Sequence, residues 1–166
     1  MEPIFVIYNR NIPKMLTEYY SYATSGVRYG IYGIFAVILL VTGLMGILPQ
    51  VAGDILFYAV CAIVASWFTP HLIVWLAMRT VKKENGGNIP EALVTVEEDA
   101  IRVHEEMSTI VMEYHRIRKV KQLKHCFAVN AGTVVVLLEI RGFSKGDLEE
   151  FKNFLQAKRP DLKIPK

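Results

Sequence analysis

"PIFVIYN", residues 3–9, has the composition of a β-strand, with β-branched and aromatic residues throughout. The next run of that kind, "ALVTV" (92–96), lies on the far side of a long apolar region. How the first run is read therefore decides the fold. If it pairs with the C-terminal strands, everything between is an insertion into one domain. We expect that pairing.

After this strand, "PKMLTEYYSYATS" reads as a helix that continues into the first of two apolar runs. These are "YGIYGIFAVILLVTGLMGIL" (29–48) and "ILFYAVCAIVASWFTPHLIVWLAM" (55–78). From Tyr29 to Met78 there is no Lys or Arg, and Asp54 is the single acid. About 20 helical residues cross the roughly 30 Å hydrocarbon core, so both runs are long enough, the second with room to tilt. Two helices apolar on every side would be hard to bury inside a chain of 166 residues. The expectation is a transmembrane hairpin. "LPQVAGD" (48–54) should form its turn through Pro49 and Gly53, with Asp54 capping the second helix. Arg28 precedes the hairpin, and Arg79, Lys82 and Lys83 follow it. The positive-inside rule then places both termini in the cytoplasm.

Each span has a ridge of small residues. Gly33, Ala36, Gly43 and Gly46 share a face of the first, extended by Gly26 and Gly30, while Ala59, Ala62, Ser66 and Thr69 share a face of the second. Small residues let helix backbones approach closely in lipid. The ridges predict packing within the hairpin or, through the Gly26–Gly30 end, a homodimer. His71, next to Pro70, is the one histidine in the apolar region and a candidate for a transport role. Tyr29 and Trp75 read as interface anchors.

A net charge of +3 is too small to imply nucleic acid. The two cysteines, Cys61 and Cys126, lie in an apolar run and a candidate strand, which excludes a disulfide framework. A cleaved signal peptide is not expected, because the first apolar run starts near residue 29 and a second follows at once.

Beyond the linker or turn "ENGGN", short strands follow: "ALVTV", "AIRVHE", "TIVMEY", a basic stretch, "CFAVN" and "TVVVLLEI". Their turn residues are spaced as in an antiparallel meander. Ile101 and Val103 should face inward, with Arg102 and His104 outward. "KGDLEEFKNFLQAK" should be an amphipathic helix capped from Ser144, with Leu148, Phe151, Phe154 and Leu155 on its apolar side and Lys152 away from it. The predicted fold is a membrane α-helical hairpin plus an α+β cytoplasmic domain. That domain is a pleckstrin-homology-like (PH-like) antiparallel barrel or sheet, closed by one C-terminal helix and completed by the N-terminal strand. The segments are 1–28, strand and helix; 29–78, hairpin; 79–91, linker; and 92–166, the PH-like part.

"EYHRIRKVKQLKHCFAV" (113–129) and "LEIRGFSKGDLEEFKNFL" (138–155) resemble the YcxB-like membrane proteins. The layout is similar across nearly the whole chain. Where the family has a Trp–polar–Ile core, this chain has Tyr114, His115, Arg116 and Ile117. Glu139 stands where a proline is usual, while Arg141 and Phe143 match. The resemblance implies two spans and a PH-like domain in a bacterial inner membrane. It implies no catalytic chemistry.

The residues themselves offer little chemistry. There is no phosphate-binding glycine loop, no nucleophile motif and no paired histidines for a metal. "HEE" (104–106) reads as an exposed strand end. We expect a non-enzyme without cofactor or metal. The functional candidate is "HRIRKVKQLKH" (115–125), carrying Arg116, Arg118, Lys119, Lys121 and Lys124, together with Arg79, Lys82 and Lys83. Such a strand resists edge aggregation, attracts the anionic inner leaflet, or docks an acidic protein partner. The corresponding functions are a binding module, an immunity-type protein that neutralises a toxin at the inner membrane, and a transporter accessory subunit.

Overall fold

In the computed structural model, which describes residues 2–104 and 108–165, Phe5–Asn9 forms strand β1 and is paired on both sides. β1 is followed by helices α1 (Ile12–Ala23), α2 (Ser25–Leu44) and α3 (Leu48–Glu84). Seven strands come next: β2 (Ala92–Val96), β3 (Ala100–His104), β4 (Thr109–Glu113), β5 (Lys119–Gln122), β6 (Cys126–Ala131), β7 (Val134–Glu139) and β8 (Phe143–Lys145). Helix α4 (Leu148–Lys158) ends the sequence of elements. Glu105, Glu106 and Met107 lie outside the described residues, and the strand end expected at "HEE" falls on two of them.

The chain forms two compact units: Met1–Tyr19 with Met78–Lys166, and Tyr20–Ala77. The first is α+β. Its five-stranded sheet has the order β4-β3-β2-β1-β8, and its three-stranded sheet the order β5-β6-β7. β1 runs antiparallel to β2, with Phe5 opposite Val96 and Ile7 opposite Val94, and Ile7 also faces Phe143 of β8. The expected pairing of the N-terminal strand is present. β1 lies inside the sheet, between two strands more than 80 residues away in sequence.

Closure into a barrel does not occur. Between β1 and β7, side-chain bonds stand in place of a backbone ladder. The Asn9 side chain accepts from the Glu139 N–H at 2.8 Å and donates to the Leu137 carbonyl at 2.6 Å. The two sheets share one core, with Ile7, Val94, Val96, Ile101, Phe127, Val129, Leu138, Phe151 and Leu155 all at 0% exposure. Phe5 meets Phe143, Phe151 and Phe154 edge-on, at centroid separations of 5.7–6.5 Å, a geometry the ring quadrupoles favour. Arg159 ties the end of α4 to the β4–β5 connection, donating to the carbonyls of Tyr114 (2.7 Å) and Ile117 (2.9 Å).

Two local expectations are corrected here. α4 is capped by Asp147, whose carboxylate accepts from the Glu150 N–H, because Ser144 belongs to β8 and donates its hydroxyl to the Val6 carbonyl. Gly146, at φ +75°, makes the turn from that strand into the helix. Lys152 is buried, not outward, with its stem packed and its Nζ brought 2.7 Å from Glu149 at the surface.

The second unit is the helical hairpin. α2 ends in a Schellman turn. Ile47 N–H donates to the Thr42 carbonyl and Gly46 N–H to that of Gly43, with Gly46 at φ +69°. The expected turn at Pro49 and Gly53 is displaced to residues 45–47. Pro49 is tolerated in the first turn of α3, where no N–H bond is lost, so Asp54 lies within the helix and does not cap it. α3 continues through Glu84, making residues 79–84 helical. Its 37 residues extend about 55 Å, longer than the roughly 30 Å hydrocarbon core. Both Ile12–Leu44 and Val51–Glu84 are long and apolar enough to cross a membrane. None of either apolar window is buried in the protein.

Candidate functional site

Strand β5 is an edge of its sheet. Alternation turns Val120 into the core, at 5% exposure, and leaves Lys119 and Lys121 outward. Arg118, just before the strand, is exposed and lies against the Gly132 turn, and Arg116 pairs with Glu113 at 3.1 Å. Lys124 is exposed in the β5–β6 turn. At the end of α3, Arg79, Lys82 and Lys83 are exposed, with a helical spacing that puts them on neighbouring positions of one face. The basic run is thus a solvent-facing edge, although its cations are spread over a 3₁₀ turn, a strand and a loop.

Around Lys124 the chain forms a cavity that sequence reading did not find. It measures about 250 Å³ and is lined by Asn11, Lys14, Lys124, His125, Glu139, Ile140 and Arg141. The start of α1 forms one wall, the β5–β6 turn another, and the β7–β8 turn a third. Glu139 organises it. One carboxylate oxygen accepts from the backbone N–H groups of Arg10 (2.7 Å) and Asn11 (3.1 Å), the other from the Asn11 side chain (2.5 Å). Burial raises the pKa of this carboxyl, but these hydrogen bonds and Arg10 outweigh it and hold it below its ordinary 4.5. The positive end of α1 also favours a carboxylate there. Gly142 permits the turn, since a Cβ at this position would stand 2.2 Å from the Tyr8 carbonyl oxygen.

Glu18 braces the second wall. Its carboxylate accepts from the backbone N–H groups of Lys124 and His125 and pairs with the His125 ring at 3.1 Å. Beneath it, burial pushes the Cys126 thiol up to about 12, leaving it without thiolate character. Among the described residues, no three or more His, Cys, Asp or Glu side chains gather as a metal site would require.

In the hairpin, Ala62 and Ser66 line a groove with Ala65, Thr69 and, from α2 and the residue before it, Thr24, Val27, Arg28 and Ile31. Arg28 stacks over Trp67, 4.8 Å from the ring centre. Gly26, Gly30 and Gly33 are not at this contact, because a Cβ on any of them would meet nothing within 4 Å. The α2 positions lining the groove are Val27, Arg28 and Ile31, which leaves the glycine ridge on another side. Gly43 supplies a carbonyl to the Schellman turn. His71 is exposed, one residue after Pro70 inside α3.

An α+β unit joined to two helices of membrane-spanning length and composition defines a class: it fits a membrane protein. Residues 96–155 match the sequence model of the family described as YcxB-like protein. The match runs from the end of β2 into α4 and contains both segments, 113–129 and 138–155, on which the resemblance rests. Searches of curated proteins and of solved structures found no match to the chain.

Proposed function

We propose that the chain is a non-catalytic, membrane-anchored binding module whose α+β unit is a PH-like domain on the cytoplasmic side of a bacterial inner membrane. It contacts the anionic leaflet through its basic residues. The observation carrying this reading is the edge position of β5, with Lys119 and Lys121 turned outward and Arg118 and Lys124 exposed beside them. Arg79, Lys82 and Lys83 support the leaflet over a protein partner, since they follow the second apolar span directly in the chain. Basic residues near an anionic surface contribute about 1 kcal/mol each, an attraction that falls off over a Debye length of about 8 Å at physiological salt.

The test is hydrogen exchange on the full chain in nanodiscs. Amides 116–124 should exchange more slowly in phosphatidylglycerol discs than in phosphatidylcholine discs. The combined change Arg118→Glu, Lys119→Glu, Lys121→Glu and Lys124→Glu should abolish the difference without unfolding the protein. Equal exchange in both lipids contradicts the reading. Stoichiometric recovery of an acidic protein with the wild type alone would replace leaflet contact by protein docking, toxin neutralisation included.

A further inference from the structure

We infer that the cavity at Lys14, Lys124 and Arg141 binds the phosphate group of a small anionic ligand. This site is separate from the β5 surface proposed above and shares only Lys124 with it. Lys14 comes from the first turn of α1, Lys124 from the β5–β6 turn and Arg141 from the β7–β8 turn, so three basic residues from three separate segments line one concavity. Among the described residues none of the three has an ion pair. The one carboxylate in the lining, Glu139, has both oxygens occupied by Arg10 and Asn11. Glu18, behind the wall, is likewise committed to Lys124 and His125. The cavity is therefore lined by three basic residues against one carboxylate that already accepts three hydrogen bonds.

Charge and shape both favour phosphate. Three like charges around one hollow repel one another, and an anion that joins them relieves that repulsion. A tetrahedral oxyanion can present oxygens to all three cations at once, whereas a planar carboxylate is satisfied by a single arginine fork. At about 250 Å³ the space lies below the roughly 300–1,000 Å³ typical of drug-sized ligands, which suits a headgroup or a small phosphate ester. The walls are also set in advance. Glu139 and Glu18 fix the backbone of residues 10–11 and 124–125, so binding orders little besides the long side chains.

A lipid headgroup and a soluble phosphate ester offer the same group, and two arms distinguish them. In the first, the full chain in phosphatidylcholine nanodiscs is titrated with glycerol 3-phosphate by calorimetry. In the second, phosphorus NMR follows phosphatidic acid carried in the discs. Saturable binding in the first arm assigns a soluble ester, and binding in the second alone assigns a lipid. In either case Lys14→Gln with Arg141→Gln should weaken binding at least tenfold, while Lys163→Gln, outside both basic surfaces, leaves it unchanged. All three are exposed side chains, and unchanged near-ultraviolet dichroism verifies the fold. No saturable binding in either arm, or equal binding by the Lys14/Arg141 variant, overturns the inference. Because Arg118, Lys119 and Lys121 are intact in that variant, failure here is distinct from failure of the leaflet reading.

Discussion

Side-chain hydrogen bonds differ between the two units of this protein in a way that reflects two solvents. In the hairpin Thr42, Ser66 and Thr69 bond back to their own helix, to the carbonyls of Ile38, Ile63 and Ala65. In the α+β unit, beside local bonds, several span the chain, joining Asn9 to Leu137, Asn11 to Glu139 and Glu18 to His125. The hairpin turns its large apolar groups outward, Phe68 at 66% exposure, while the other unit buries Phe151 completely. A helix in lipid must satisfy its polar groups internally and gains nothing from hiding apolar ones. A sheet in water needs partners and a core. One chain meets both demands because the hairpin is inserted after the strand that completes the core.

The same truncation should therefore have unequal effects. Phe151→Ala should destabilise the α+β unit by about 3–5 kcal/mol, read from urea unfolding of the full chain in mild detergent. Phe68→Ala should change that transition by less than about 0.5 kcal/mol. Comparable losses would mean that the outward face of the hairpin is packed against protein, not lipid.

Glutamate 139 gives a second contrast. Glu139→Ala should cost about 2–3 kcal/mol by stranding the donors of Arg10 and Asn11. With its folded pKa below the ordinary 4.5, its contribution is complete above pH 4.5 and fades as pH falls through the folded value. The wild type should lose stability over that acid range more steeply than Glu139→Gln. Parallel pH curves would remove Glu139 from its role as organiser.

Two glycines offer the smallest difference. Gly142→Ala forces a Cβ onto the Tyr8 carbonyl and should cost about 1–3 kcal/mol. Gly30→Ala meets open space in a helix and should be neutral or stabilising by up to about 1 kcal/mol. A shift in oligomeric state on Gly30→Ala, read by light scattering, would instead assign the glycine ridge to a second copy of the chain.

What could be read from the residues follows the range of the forces involved. The two long apolar helices were visible because apolar length is a local property, and β1 because its composition is. Its partner could be inferred since no other strand candidate precedes residue 92. The turn at Gly46 was misplaced to Pro49 and Gly53, because proline is as acceptable in a first helical turn as in a loop. β8 escaped notice because three residues carry no period. The cavity was out of reach. Lys14, Lys124 and Arg141 are unremarkable singly, and it takes the bonds from residues 9–11 to residues 137–139, with those from Glu18 to residues 124–125, to bring them together.

The central claim is that the N-terminal strand and the C-terminal strands form one folded unit around the inserted hairpin. Hydrogen exchange on the full chain in lipid nanodiscs tests it at two amides, Ile7 of β1 and Val94 of β2. The fold predicts that both belong to the slowest-exchanging class and are released together as urea is added. Rapid exchange at Ile7 while Val94 remains protected would contradict it.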